Sequence, residues 1–191
     1  MSARESYKPG PAADAEVKKE GEHWTLIIVR KLKHPPSQVW QALTDPVQLR
    51  EWAPFDADRS LAATGPVTLT TVGLAKPVGS ETRVTRAEAP KVLEYRWADN
   101  DMRWQLESMD DGTRLTLWHK IDRRYISMGA AGWHLCFDVL GRFLDGAPLG
   151  RMVGGEAMKF EWSRLNQEYA QRFGVETSAV PPISREPEHA Q

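Results

Sequence analysis

Aromatic side chains around a single histidine are the groups in this chain whose spacing predicts a binding site. In the segments 91–98, 102–109 and 114–121, apolar residues alternate with polar ones, so one set of side chains faces inward from each strand. Two helical segments that follow add apolar groups to the same interior. The predicted ligand-binding residues are Tyr95, Trp97, Trp104, His119, Trp133, Phe137, Met158 and Trp162. An aromatic wall with one imidazole suits a small apolar molecule, although the pattern also suits a packed core.

His119 is the polar group of this set, and two interpretations of it stay open. In a pocket, its imidazole could orient a ligand or transfer a proton, which makes His119 the candidate for a catalytic residue. At the end of a strand, it could instead bond to the backbone or to water. No other catalytic residue is predicted.

Motifs for phosphate, metal and nucleophile chemistry do not occur in the sequence. It contains neither GxGxxG nor GxxxxGK[ST], and HExxH, CxxC and GxSxG are missing as well. The glycines of 150–155 lack the flanking strand and lysine of a phosphate loop. His134 and Cys136 have no further ligands nearby, and Cys136 is expected to be a buried, inert thiol. We therefore expect no cofactor and no metal ion.

Two polar groupings have both a functional and a structural interpretation. His134 and Asp138 are four residues apart, as a catalytic pair on a helix would be, but they lie opposite the predicted apolar stripe. A solvated helix face is therefore favoured. Asp56, Asp58 and Arg59 could border the mouth of a pocket, and a solvated loop is the favoured alternative.

Composition excludes several classes of protein. The chain has 191 residues, a mass of 21.6 kDa and a formal charge of -1, whereas a nucleic-acid-binding protein normally has a basic excess. A single cysteine cannot form an internal disulfide. The N-terminal residues carry no apolar signal segment, and no apolar run reaches the ~18 residues of a membrane span. We expect a cytoplasmic protein without nucleic-acid or membrane partners.

Strand and turn signals occupy the first two thirds of the chain. Residues 24–32 are rich in β-branched side chains, and Pro36 and the Asp45-Pro46 pair then open two short helices. Consecutive strand signals separated by tight turns follow, which predicts an antiparallel sheet. These strands are Val67–Val72, Ser80–Glu88, Lys91–Ala98, Met102–Met109 and Arg114–Ile121.

The hydrophobic period then changes to that of helices. Apolar residues from Trp133 to Leu144 form one face, and those from Met158 to Phe173 predict a C-terminal helix of about five turns. The predicted fold is α+β, with a curved antiparallel sheet that grips the long C-terminal helix and encloses a hydrophobic cavity. The predicted domain covers 22–175, between disordered polar tails at 1–21 and 176–191.

Four segments in chain order carry a family resemblance. They are PSQVWQALTDP at 36–46 with LREW at 49–52, EAPKVLEYRW at 88–97, GTRLTLWH at 112–119 and GWHLCFDVL at 132–140. They resemble the START-like (SRPBCC) helix-grip proteins, in the branch named after the activator of the heat-shock-protein ATPase. The resemblance implies a sheet curved around a long C-terminal helix, two small helices near the start and a deep hydrophobic cavity.

The resemblance leaves three functions open. Members of the superfamily bind lipids, polyketides or other apolar molecules, some are aromatase/cyclases, and the eukaryotic activator is a co-chaperone. The leading hypothesis is non-catalytic binding of a small hydrophobic or aromatic molecule in the cavity. The alternatives are a cyclase- or hydrolase-type enzyme with His119 as its acid–base group, and a co-chaperone-like module with a protein partner.

Overall fold

An antiparallel sheet of eight strands is the main element of the residues that the computed structural model describes, which are 2–179. Its order is β1-β2-β8-β7-β6-β5-β4-β3, so that β8 pairs with β2 and joins the two halves of the chain. The strands are β1 Ala15–Glu20, β2 His23–Leu32, β3 Phe55–Ala57, β4 Gly65–Thr71, β5 Val78–Glu88, β6 Val92–Trp97, β7 Asn100–Met109 and β8 Gly112–Lys120.

Four α-helices accompany the sheet in the described part of the chain. They are α1 Pro36–Thr44, α2 Pro46–Trp52, α3 Ile126–Leu144 and α4 Trp162–Phe173, and short 3-10 helices lie at Arg123–Tyr125 and Gly154–Lys159. The Asp45 carboxylate accepts a hydrogen bond from the Val47 amide at 2.9 Å and caps α2, as the Asp45-Pro46 pair predicts. The α+β class, the curled antiparallel sheet and the two short helices after the first long strand are confirmed.

The inward side chains of β6, β7 and β8 lie in rows across the sheet. Tyr95 pairs with Met102, and Met102 with His119. In the next row Trp104 lies opposite Leu117, and all five of these residues are buried. The period-two pattern therefore identified the inner face of the sheet, since one face is covered by α3 while the other carries the polar residues.

Part of the N-terminal segment is ordered, although a disordered tail was expected over 1–21. Ala15–Glu20 forms β1 and pairs with β2 through backbone hydrogen bonds, which do not require apolar side chains. Arg164 donates to the carbonyl of Pro9 at 2.9 Å, and Arg172 donates to that of Ala15 at 2.8 Å. Arginines of α4 therefore hold a segment that composition alone describes as polar.

The C-terminal helix is shorter than its apolar stripe predicts. Glu161 adopts a left-handed φ of 56°, which separates the 3-10 helix at Gly154–Lys159 from α4. The longest helix of the described residues is instead α3, with 19 residues, and it packs against β2 and α4. The apolar stripe thus indicated the buried face correctly but not the interruption of the helix.

The end of the described chain packs against α3 and α4. The Ser178 and Ser127 hydroxyls lie 2.8 Å apart, and Asn166 donates to the Ser178 carbonyl at 2.9 Å. The predicted tail at 176–191 therefore begins with packed residues, and its part from 180 onward lies outside the described residues. Between residues 2 and 179, no helix is both long and apolar enough to cross a bilayer.

The turn between β7 and β8 depends on a glycine. Gly112 has a φ of 148°, and a Cβ placed on it would lie 2.0 Å from the carbonyl oxygen of Leu32. We expect Gly112→Ala to lower the free energy of unfolding by about 3 kcal/mol or more, because backbone must move. Urea denaturation followed by tryptophan fluorescence measures this change.

Gly21→Ala is the matched control for that substitution. Gly21 also has a positive φ, 62°, but nothing lies within 4 Å of a Cβ there. Its replacement should lower the free energy of unfolding by only about 1 kcal/mol, because alanine disfavours the left-handed conformation. Equal losses in the two variants would contradict the steric explanation.

Candidate functional site

A cavity of about 800 Å³ lies between the sheet and the N-terminal half of α3. The strands contribute Thr71, Trp97, Asn100 and His119 to its wall. Helix α3 contributes Met128, Gly129, Gly132, Trp133 and Cys136. The loop 72–75 and the segment 152–158 form the rest of the wall together with Trp162 and residues near the ends of β6 and β8. The volume is within the range of sites for drug-sized molecules.

Five of the eight residues predicted to bind a ligand line this cavity. They are Trp97, His119, Trp133, Met158 and Trp162. The other three, Tyr95, Trp104 and Phe137, pack in the adjoining core and are not part of the wall. Alternation along a strand identifies the buried face, but it does not separate side chains at the cavity from those packed beside it.

The core residues support the wall from behind. The Trp104 indole donates to the Tyr95 hydroxyl at 2.9 Å and packs edge-on against Trp133, with centroids 5.4 Å apart. Trp97 is fixed in a different way, because its indole donates to the Thr71 hydroxyl at 2.8 Å. Its ring meets that of Trp133 at 74°. The aromatic wall is therefore held by specific bonds, which keep the cavity from collapsing.

His119 is buried at the cavity and is held by one hydrogen bond. The Trp133 indole donates to His119 Nδ1 at 3.0 Å, and His119 Nε2 is buried with no partner among the described residues. Burial lowers the pKa of His119 to about 4, so the imidazole is neutral at pH 7. His119 therefore presents a neutral polar group to an otherwise mostly apolar wall.

The mouth of the cavity combines exposed apolar side chains with carboxylates. Leu74 and Tyr125 line the cavity and are 53% and 49% exposed. Asp99 and Asp122 also line it, whereas no lysine or arginine does so in the part of the chain that the structure describes. A molecule that entered would cover the exposed apolar groups.

The loop 72–75 and the segment 152–158 contact each other at the cavity through backbone atoms of two glycines. A Cβ on Gly154 would lie 1.8 Å from the carbonyl oxygen of Gly73, and both residues have positive φ. Gly154, one of the glycines of 150–155 whose surroundings do not form a phosphate loop, permits this close approach to Gly73 because neither residue has a side chain.

Several wall residues were not predicted from the sequence. Gly129 and Gly132 lie on α3, and nothing is within 4 Å of a Cβ built on Gly132. Glycines inside a helix are unfavourable without a packing reason, which is the signal that could have identified them. Cys136 is buried as expected, and it also lines the cavity. Burial raises its pKa to about 12, which keeps it a thiol.

The family comparison agrees with the geometry of the fold. The profile of the family described as "Activator of Hsp90 ATPase homolog 1-like protein" matches residues 33–145, which is more than half of the chain. The chain belongs to this family. The match includes α1, α2, the sheet from β3 to β8, and α3, and therefore most of the elements that surround the cavity.

Solved structures show that the fold of this family member occurs widely. A conserved protein of unknown function from Enterococcus faecalis has a TM-score of 0.64 and 16% identity, covering 83% of this chain and 89% of its own. CalU16 from Micromonospora echinospora has a TM-score of 0.63 and 21% identity, with 88% and 95% covered. An AHSA1-like protein from Aeromonas hydrophila has a TM-score of 0.54 and 19% identity, with 65% and 94% covered. None of the curated proteins matches the sequence.

The part of α3 that carries His134 and Asp138 is covered by other side chains, which corrects the expectation of a solvated face at these two residues. Asp138 pairs with Arg30 of β2 and accepts a hydrogen bond from the Tyr7 hydroxyl. His134 is buried, and its Nδ1 lies 2.8 Å from the Tyr169 hydroxyl. These residues form a structural cluster away from the cavity wall. Asp56 likewise pairs with Arg151 at 2.6 Å and does not line the cavity.

Neutral His119 makes stability depend on pH. Its pKa is near 6.5 in the unfolded chain and about 4 in the fold, so the unfolded state binds more protons between these values. Stability is therefore lost as the pH falls from 6.5 to 4, and we expect His119 to account for about 2 kcal/mol between pH 7 and pH 5.

Denaturation of the wild type and of His119→Gln at pH 7 and pH 5 tests this expectation. Between pH 7 and pH 5, the free energy of unfolding of the variant should fall by about 2 kcal/mol less than that of the wild type. The stability of the variant should still depend on pH to some extent, since burial also lowers the pKa of His134. Parallel losses in the two proteins would show that His119 is not held neutral by burial.

Proposed function

We propose that this protein binds a small hydrophobic or aromatic molecule in the cavity beside α3. The observation that carries the proposal is a cavity of about 800 Å³ whose wall includes three tryptophans, Trp97, Trp133 and Trp162. Removing apolar groups from water contributes about 0.8 kcal/mol per buried CH₂, so a molecule that filled even part of this volume would bind appreciably.

The aromatic wall favours flat or aromatic molecules over flexible ones. Trp97 and Trp133 are held by hydrogen bonds from their indole nitrogens, so little side-chain entropy is lost when a ligand packs against them. Edge-to-face and offset contacts with such rings contribute about 0.5–1.5 kcal/mol beyond the area that they bury. The aromatic wall is thus preorganised to bind a rigid apolar ligand.

The exposed apolar side chains at the mouth support the view that the cavity binds a ligand and is not merely a defect in the packing of the core. A soluble protein seldom places exposed apolar side chains around an opening unless something covers them. Leu74 has this position on the loop after β4, and Tyr125 has it at the end of the 3-10 helix that precedes α3. A bound molecule would shield both side chains from water.

The wall contains little that supports catalysis of a cyclase or hydrolase type. A general base needs a free lone pair, but the Nδ1 lone pair of His119 already accepts the Trp133 hydrogen bond. Cys136 is held as a thiol, which is a poor nucleophile. The geometry therefore favours a carrier or sensor over an enzyme.

A side chain at Gly132 should block the cavity. Since nothing lies within 4 Å of a Cβ at this position, the phenyl group of Gly132→Phe can occupy the open volume. We expect at least a tenfold weaker affinity for N-phenyl-1-naphthylamine, an uncharged probe whose fluorescence rises in apolar sites. Gly132→Ala is the control, because it adds helix propensity of about 1 kcal/mol and leaves the volume nearly unchanged.

Native mass spectrometry of gently purified protein identifies the natural ligand class. An extra mass in the wild type and in Gly132→Ala, lost in Gly132→Phe, supports binding in the cavity. An extra mass that persists in Gly132→Phe would place the ligand elsewhere. A bare mass together with no binding of the probe would contradict the proposal and favour a protein-interaction module.

A further inference from the structure

The hydrogen bond between Trp133 and His119 determines where the imidazole proton lies. An indole N–H is only a donor, so His119 Nδ1 must be the acceptor in the 3.0 Å bond. The neutral ring then carries its hydrogen on Nε2, and that atom is a donor. Nε2 is buried and has no partner among residues 2–179, although buried donors in proteins are nearly always paired.

Among residues 2–179, no acceptor lies within hydrogen-bonding distance of His119 Nε2. On the neighbouring strands His119 lies opposite Leu26 and Met102, which have apolar side chains. The Trp97 and Trp133 rings are each 6.0 Å away between centroids, and indoles do not accept hydrogen bonds in the ring plane. His119 lines the cavity, so an acceptor approaches from that side, and the side chains that cover Nε2 must move apart for it to reach this atom.

The charges around the cavity restrict the ligand further. The side chains that line it, as far as the structure describes the chain, include the carboxylates of Asp99 and Asp122 but no lysine or arginine. A carboxylate or phosphate in this volume would lose its hydration without gaining a counter-ion. An uncharged acceptor such as a carbonyl avoids that loss.

We propose that the cavity selects uncharged, flat molecules that carry a carbonyl oxygen, and that His119 Nε2–H donates to this oxygen. The proposal rests on the binding function of the cavity and adds the chemical class of its ligand. His119 is thereby the specificity-determining residue. Ketones and esters on aromatic or polycyclic frames are the favoured class, and fatty acids and other anions are selected against.

Three molecules on one tricyclic frame test the selection. Fluorene has no acceptor, 9-fluorenone has a carbonyl oxygen, and fluorene-9-carboxylate has a charged one. We expect the wild type to bind 9-fluorenone about fivefold more tightly than fluorene, as one net hydrogen bond would give. Fluorene-9-carboxylate should bind more weakly than both. Equilibrium dialysis measures the three dissociation constants.

Two substitutions assign the preference to His119. His119→Phe removes the donor and should bring the affinities for 9-fluorenone and fluorene to within about twofold of each other. His119→Gln is the matched control, since its amide oxygen can accept from Trp133 while its NH₂ group still donates, and it should keep most of the preference. The wild-type ratio tests the proposal even if His119→Phe does not fold.

Nitrogen-15 NMR of labelled histidine provides an independent test. Nε2 of His119 should show the chemical shift of a protonated imidazole nitrogen and Nδ1 that of an unprotonated one, and 9-fluorenone should shift Nε2 more than fluorene does. A hydrogen on Nδ1 would overturn the proposal.

The outcomes separate this inference from the function on which it rests. Equal affinities for 9-fluorenone and fluorene in the wild type, or tightest binding of the carboxylate, overturn the inference while leaving a binding cavity in place. A preference that survives in His119→Phe overturns the role of His119. Failure of all three molecules and of N-phenyl-1-naphthylamine to bind contradicts the binding function and the inference together.

Discussion

Trp133 joins α3 to the sheet, and the division of the interior into a packed half and a hollow half depends on it. One side of its indole packs on Trp104 and Phe137, in the core. The other side meets Trp97 and donates to His119, at the cavity. Beside the cavity, α3 therefore contacts the sheet through the large side chain of Trp133. Gly132, the residue directly before Trp133, leaves the space beside it open.

The N-terminal segment braces this arrangement from outside the cavity. Arg4 donates to the backbone carbonyls of Leu149 and Gly150 at 2.9 and 2.8 Å, immediately before the segment 152–158 that forms part of the wall. The Tyr7 hydroxyl donates a hydrogen bond to Asp138, which forms a half-buried ion pair with Arg30. Removing charges from water is costly unless their remaining polar groups are satisfied, so these three residues stabilise one another.

Sequence patterns predicted the structure correctly where it depends on local periodicity. They failed where a residue's environment depends on a partner that is distant in the sequence. The inward positions of β6 to β8, with the wall residue Trp97, followed from alternation, and the wall residue Trp133 followed from the helical period of 133–144. β1 carries little apolar surface, and its order comes from backbone pairing that composition does not encode. His134 looked solvated because its partner, Tyr169, lies on another helix.

Pairing of β2 with β8 has a consequence for the way in which this chain acquires its cavity. Leu26 and His119 are neighbours in the sheet but are separated by almost half of the sequence. Contacts of such separation form late, because closing a long loop must precede them. During synthesis β8 leaves the ribosome long after β2, and α3 is made later still. The cavity is therefore complete only in the finished fold, and a molecule that binds in it would stabilise the native state by mass action.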